Sequence, residues 1–415
     1  QEDENIWNNI YSVGNAKIWQ TKNILRKRLI DYLKVRLQKE MQSRSESPKY
    51  ILKVTKTLSE DKLTIGFARR FATYKRAHLL FKNLDRLNKL VNNPNFPVQF
   101  IFSGKAHPAD KAGQDLIKRI IEVSRKEEFI GKIVFIENYD MELSKILIPG
   151  CDVWLNTPTR PLEASGTSGM KAVMNGVLNL SVLDGWWIEG YQKDAGWALK
   201  KERTYTNQEY QDILDSETIY LLLENEIIPS FYERDNNDIP YKWVQYIKNN
   251  FAKIAPHFTM KRMGNDYFKK FYNKLIDRTI LFNKDNFKKA IEYSNWKKQI
   301  KFSWNNIEVV DINIPHNKVF KTGDKLDISI ILQINGYKPD NLALDVILNN
   351  NKNEDSLNNY SFKYQMEISE KVGNTVKYNL SEIIQNPGVF DIAIRVRPND
   401  DLMPYIQDLS LVKYI

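Results

Sequence analysis

Residues 151–176 read CDVWLNTPTRPLEASGTSGMKAVMNG, and the fold follows from how this stretch is divided. CDVWLN is a short apolar run of strand length. TPTRP is a proline-bounded loop, and ASGTSG is a chain of small residues. A short helix then carries Lys171 in its first turn. A buried strand that empties through a small-residue loop into a helix is one unit of an alternating strand–helix fold. The neighbouring sequence repeats the unit. KLTIGFA (62–68), PVQFIFSG (97–104), KIVFIE (132–137) and VLNLSV (177–182) are further apolar runs, and helices are expected over 74–91, 109–127, 141–148 and 168–176. Near-continuous apolar strands separated by helices predict a parallel sheet covered on both faces, with ligands at the carboxyl ends of its strands.

Outside this region the texture differs. Residues 6–42 read as a leading helix, with Ile24, Leu25, Leu29, Ile30, Leu33 and Leu37 among charged residues, and 207–299 is helix-forming and rich in Tyr, Phe and Lys. After residue 300, LDISIILQI (326–334) alternates strictly, as do LALDVIL (342–348) and VFDIAIRV (389–396). That alternation predicts an antiparallel β-module, a small sandwich, over 301–415. The Asn-rich stretch 349–359 reads as a solvated hairpin loop.

The totals limit the function classes. A chain of 415 residues supports two or three domains. The best candidate for a membrane span, IYLLLENEII (219–228), is broken by Glu224 and Glu226. One cysteine, Cys151, allows no internal disulfide and suits a reducing cytoplasm. The net charge of +10 raises the question of nucleic acid, but Lys, Asn and Ile are abundant throughout and no nucleic-acid motif is present. No membrane or metal partner is expected, and assembly into a homo-oligomer is left open. The chain starts with Gln and the polar run QEDEN, which suggests a piece of something longer.

Two corners carry the chemistry. In FARRFATYKRAHLL (67–80), a helix is expected to begin at Thr73 as N-cap, with Arg69, Arg70, Lys75 and Arg76 crowded around its N-terminus. Cations there oppose the helix dipole by about 0.3–1 kcal/mol each, so an anion is expected among them. In the second corner, Gly166, Thr167, Ser168 and Gly169 let backbone amides approach a phosphate. The spacing matches neither a Walker loop nor a dinucleotide-binding loop. Lys171, if desolvated beside an anion site, is a candidate for a Schiff base, and Glu163 stands eight residues before it. The plainer alternatives are a solvated basic turn, a surface lysine and a loop carboxylate. Trp186 and Trp187 in DGWWIEG suit either a hydrophobic core or carbohydrate stacking.

EASGTSGMK, with FARRFATYKRA, SGKAHPAD (103–110), ENYD (137–140) and NLSVLDGWW (179–187), resembles the α-glucan phosphorylases, more closely their short bacterial and archaeal form. The resemblance is dense over 60–200 and thinner over 1–60 and 207–299, and FDIAIRVRPNDDL (390–402) resembles the tail of that short form. It implies the Rossmann-like C-terminal half of a GT-B glycosyltransferase fold over 1–300, followed by the antiparallel β-sandwich domain. It implies pyridoxal 5'-phosphate on Lys171, with Arg69, Tyr139, Thr167 and Ser168 around the cofactor. It further implies that Arg70 and Lys75 hold orthophosphate, and that Glu163, Ser165 and Gly166 hold the terminal glucose. The implied reaction is phosphorolysis of an α-1,4-glucan to α-glucose 1-phosphate. Ala72 and Asp140 depart from the histidine and arginine of animal-type relatives. None of His78, His107, His257 and His316 matches the family histidine that contacts glucose, which would belong to a missing N-terminal half of the same enzyme. Without that half, little or no activity is expected. Two alternatives remain open at this point: a nucleotide-sugar-dependent glycosyltransferase of the same architecture, and a non-catalytic carbohydrate-binding remnant.

Overall fold

The computed structural model describes residues 4–199, 205–315, 319–350, 361–386 and 389–415. Most of the Asn-rich stretch 349–359, and His316, lie outside the described residues. The chain forms two compact units, Gln1–Met263 and Gly264–Ile415.

The first unit is built on a six-stranded sheet. Its strands are β1 (Leu63–Ala68), β2 (Val98–Ser103), β3 (Ile133–Ile136), β4 (Val153–Asn156), β5 (Leu178–Val182) and β6 (Trp197–Leu199), in the order β3-β2-β1-β4-β5-β6. Every pairing in it is parallel. Five strands coincide with the apolar runs. β6 was not foreseen, because three residues are too few to show a pattern. Side chains alternate across the sheet, so Ile65, Phe67, Phe100 and Phe102 enter one core with Phe231 and Trp243. Ala68, Ile101 and Trp154 enter the other core with Leu29, Leu33 and Leu147. Gly66 is required by that second face: a Cβ there would lie 2.6 Å from Cys151 Sγ and 3.0 Å from the Trp154 ring.

Helix α1 (Asn15–Ser43) covers the second face, followed by α2 (Pro48–Thr57). Its buried stripe includes Leu29, Ile30, Leu33, Leu37 and Met41, while Ile24 points to solvent. Two charged residues share the stripe. Lys22 Nζ donates to the carbonyls of Pro149 and Cys151 at 2.8 and 2.9 Å. Arg26 pairs with Asp152 at 2.6 Å. Burial pushes the Lys22 ammonium down to about 8. Trp186 and Trp187 are core residues, 4% and 0% exposed, which removes the stacking reading. Among the described residues no helix is long and apolar enough to cross a membrane.

The helix expected over 74–91 is not continuous. A 3-10 turn, Thr73–Lys75, follows Ala72, so Thr73 is not its N-cap. Arg76 then takes a left-handed conformation (φ 50°, ψ 45°). A second 3-10 turn spans Leu79–Lys82, and only α3 (Leu84–Val91) is α-helical, capped by the Asn83 side chain. The cause is tertiary: the buried Arg76 guanidinium is tied to Thr157, Pro158, Asp212 and Asp215, and a helical Arg76 would not keep those partners. A three-residue turn has no appreciable macrodipole, so the dipole argument for an anion at this corner does not hold.

The remaining helices of this unit are α4 (Lys111–Ser124), α5 (Met141–Gly150), α6 (Thr167–Val173), α7 (Trp186–Gly190) and α8 (Gln208–Leu222), followed by shorter segments from Leu223 onward. The strand order sets the location of any site. From β1 the chain moves outward to β2 and β3, then crosses back to β4 on the other side. The loops leaving β1 and β4 therefore diverge and open a crevice at the carboxyl ends of these two strands.

The second unit contains two four-stranded antiparallel sheets, ordered β10-β9-β13-β14 and β11-β12-β8-β7. The strands are β7 (Ile307–Asn313), β8 (Lys325–Ile334), β9 (Leu342–Asn350), β10 (Ser361–Gln365), β11 (Glu367–Val372), β12 (Thr375–Ile383), β13 (Phe390–Pro398) and β14 (Lys413–Tyr414). The alternating residues Leu326, Ile328, Ile330, Leu332 and Ile334 face one core, shared with Leu344, Val346, Ile394 and Val396 of the other sheet.

Candidate active site

Arg69 is the first residue beyond β1. Its N–H donates to the Ser103 carbonyl at 3.2 Å, and Phe71 N–H donates to the Lys105 carbonyl at 2.9 Å, which holds the loop beside β2. The Arg69 side chain turns the other way, toward β4. One terminal nitrogen donates to Oδ1 of Asn156, the last residue of that strand, and the other lies 2.5 Å from Glu163 Oε2. Lys75 Nζ meets the same Glu163 oxygen. It also lies 4.4 Å from the centre of the Tyr74 ring. Lys75 and Glu163 are 7% and 8% exposed, so two cations and one carboxylate share a nearly dry site.

Each member is held from behind. Asn156 Nδ2 donates to Ser181 Oγ at 3.1 Å, which aims its oxygen at Arg69. The Thr157 hydroxyl donates to the Lys75 carbonyl at 3.1 Å, and Thr159 N–H donates to the Tyr74 carbonyl at 2.7 Å. These bonds join the loop after β1 to the loop after β4. Glu163 N–H donates to the buried Asp184 carboxylate at 2.9 Å, and Trp186 N–H donates to the Ser165 carbonyl at 2.9 Å. Gly185 permits that clasp. At φ 54° it occupies the left-handed region, and a Cβ there would be 2.5 Å from Ser165 O.

The small-residue loop reaches the same place. Gly166, at φ 87°, precedes α6, and its ideal Cβ position lies 3.6 Å from Glu163 Cγ and 3.7 Å from Asn156 Nδ2. Gly169 presses on Trp186 and Asn179: a Cβ would lie 2.7 Å from Trp186 Nε1. Ser168 Oγ accepts from Trp154 Nε1 at 3.2 Å. Both expected corners thus meet at the crevice between β1 and β4.

Arg69, Lys75 and Glu163 are bonded directly, and Gly166 touches their edge. Ser165 is partly buried, and its carbonyl is engaged by Trp186. Arg70 is exposed and, with Lys75, favours the ionised form of the Tyr74 phenol. Burial alone would raise that phenol, but these two cations draw it below its ordinary value. Thr167 and Lys171 are exposed, so the desolvation expected for Lys171 is not supplied by its described neighbours. Tyr139 is partly buried, donates to Ser144 Oγ at 3.2 Å, and is raised by burial. Asn156, Tyr74 and Asp184 were missed by the sequence reading. Only Asn156 left a signal, as a polar residue closing an apolar strand at its carboxyl end.

The arrangement suits a phosphorylated cofactor in three respects. The cluster carries one positive charge beyond what Glu163 balances. Among the described residues, Arg69 Nε is buried without a hydrogen-bond partner, an unused donor of the kind a phosphate oxygen satisfies. Gly166 and Gly169 keep the facing loop free of side chains.

Comparison with known proteins gives a consistent result. Residues 32–196 match the family described as carbohydrate phosphorylase, and residues 304–415 match the glycogen phosphorylase C-terminal domain. A maltodextrin phosphorylase of Thermococcus litoralis is 38% identical over 100% of this chain and 48% of its own length. A glycogen phosphorylase of Aquifex aeolicus is 44% identical over 66% of this chain and 39% of its own length. A glycogen phosphorylase of Mycobacterium bovis is 30% identical over 98% and 47%. The chain therefore spans about half the length of the curated relatives it matches.

Proposed function

Because the chain belongs to the carbohydrate phosphorylase family, we propose that it is the C-terminal, cofactor-binding half of an α-1,4-glucan phosphorylase. In this reading the six-stranded sheet is a Rossmann-like half of a GT-B pair, and the relatives' remaining length supplies the opposite wall of the cleft. The observation that carries the reading is the convergence of Arg69, Lys75, Asn156 and Glu163 on the crevice between β1 and β4, against the Gly166 loop.

Pyridoxal 5'-phosphate would be carried by Lys171, with Arg69 and the amides of Thr167 and Ser168 holding its phosphate and Tyr139 flanking it. When bound, the cofactor supplies a phosphate group able to exchange a proton with the substrate phosphate. The chain's own residues do the rest. Arg70 and Lys75 hold orthophosphate as an anion beside the anomeric carbon of the terminal glucose. Glu163, Ser165 and Gly166 take the sugar hydroxyls and fix the ring. The phosphate lies on the same face as the glycosidic oxygen, gives that oxygen a proton as the glycosidic bond breaks, and bonds to the anomeric carbon from the face the leaving group has vacated. Charge held at Arg70 and Lys75 keeps the phosphate close to the oxocarbenium-like centre as it develops. The configuration is retained, and the product is α-glucose 1-phosphate. Cys151 is buried and unpaired, which fits a cytoplasmic protein.

The test joins this chain to the remaining half found in its relatives and supplies maltodextrin and phosphate. Formation of α-glucose 1-phosphate, abolished by Lys171→Ala, supports the reading. Glucosyl transfer from a nucleotide sugar that survives Lys171→Ala overturns it.

A further inference from the structure

We propose that Glu163 is a displaceable counter-ion: it occupies Arg69 and Lys75 until the cofactor phosphate takes Arg69 and orthophosphate takes Lys75, which frees its carboxylate for a sugar hydroxyl. The inference rests on the phosphorylase reading and gives Glu163 a second task within it, coupling the anion site to the sugar site.

The geometry sets up a competition. Both cations converge on one oxygen, Glu163 Oε2, and the three side chains are at most 9% exposed. Each cation would be costly to leave unpaired there, so the site needs an anion at all times. Glu163 provides one negative charge against two positive ones. Phosphate oxygens at Arg69 and at Lys75 replace that charge and close the balance.

The surroundings allow the exchange without rebuilding the site. Arg69 keeps its bond to Asn156, which is anchored on Ser181, when Glu163 leaves. Lys75 keeps the face of the Tyr74 ring, and its backbone stays tied to Thr157. The Glu163 backbone is pinned by Asp184, so only its side chain rotates. The carboxylate that turns away is then a charged acceptor in a dry site, where a hydroxyl donor is worth most. By linkage, a sugar hydroxyl that draws Glu163 off the cations strengthens phosphate binding by the same factor.

The experiment measures inorganic phosphate binding to the chain by calorimetry and by thermal unfolding, at constant ionic strength set with chloride. Glu163→Gln removes the internal competitor. It is expected to unfold at a lower temperature without phosphate, to bind phosphate about tenfold or more tightly than wild type, and to gain more in melting temperature per increment of phosphate. Glu163→Asp, too short to reach both cations, is expected to fall between the two and serves if the Gln variant does not fold. Phosphate affinity unchanged or weakened in these variants, while wild type binds, overturns the inference alone. A wild-type chain that binds no phosphate and takes no pyridoxal label at Lys171 overturns the phosphorylase reading and this inference together.

Discussion

Arg76 Nε donates to the carbonyl oxygen of Thr157 at 3.0 Å, joining the loop after β1 to the loop after β4. The same guanidinium donates to the Pro158 carbonyl at 2.9 Å and pairs with Asp215 at 2.7 Å and Asp212 at 3.0 Å. One buried side chain thus sets the relative position of Lys75 and the strand that leads to Glu163. Replacing it by Gln leaves two buried carboxylates short of a partner. We expect Arg76→Gln to cost about 3–5 kcal/mol in urea unfolding. A loss below about 1 kcal/mol would show that the loops are held by other contacts.

Acid should loosen the same network. Burial alone would raise the Asp212 carboxyl, but hydrogen bonds from His78, Arg76 and Gln208 hold it down at about 2. A folded value below the unfolded one means stability that is present above the unfolded value and lost as pH falls through the folded one. Wild type should therefore lose this contribution between about pH 4 and pH 2, and Asp212→Asn should lack that part of the decline. Parallel urea midpoints for the two proteins across that window would contradict the assignment.

Much of the first unit could be read from its sequence because its strands are buried on both faces and appear as apolar runs. The chemistry at Arg69, Lys75 and Glu163 was visible as residue types near strand ends. Their mutual contact was not, because it joins positions 94 and 88 residues apart through a crossover of the sheet. Arg76 shows the opposite failure. Local pattern placed it in a helix, and partners more than 80 residues away placed it in a left-handed turn. Lys22 and Arg26 were unreadable as buried residues, since only the carbonyls and carboxylate they meet explain their place on α1.

Gly169 should tolerate no side chain. A Cβ there meets Trp186 Nε1 at 2.7 Å and Asn179 Oδ1 at 3.0 Å, both in buried residues. Gly169→Ala is expected to destabilise the first unit by about 1–3 kcal/mol through overpacking. It should also displace α6 and lower the yield of pyridoxal adduct at Lys171. A variant with wild-type melting temperature and labelling would show that the α6–α7 contact is slack.

In the second unit, Asp345 is fully buried on β9 and pairs with Arg395 at 2.8 Å and Arg397 at 2.9 Å. Burial would raise its carboxyl, yet the two arginines hold it below its ordinary value. Asp345→Asn leaves the nearly buried Arg397 uncompensated, and we expect a loss of about 3 kcal/mol in the unfolding of this unit. An unchanged denaturation midpoint would refute that.

On the proposed function, the crevice between β1 and β4 holds a phosphorylated cofactor tethered at residue 171. Incubating the protein with pyridoxal 5'-phosphate, reducing with borohydride and mapping the peptides by mass tests it most directly. Stoichiometric phosphopyridoxyl label is expected on the peptide containing Lys171 and is expected to be absent in Lys171→Ala. Label confined to other lysines, or no label, would contradict it.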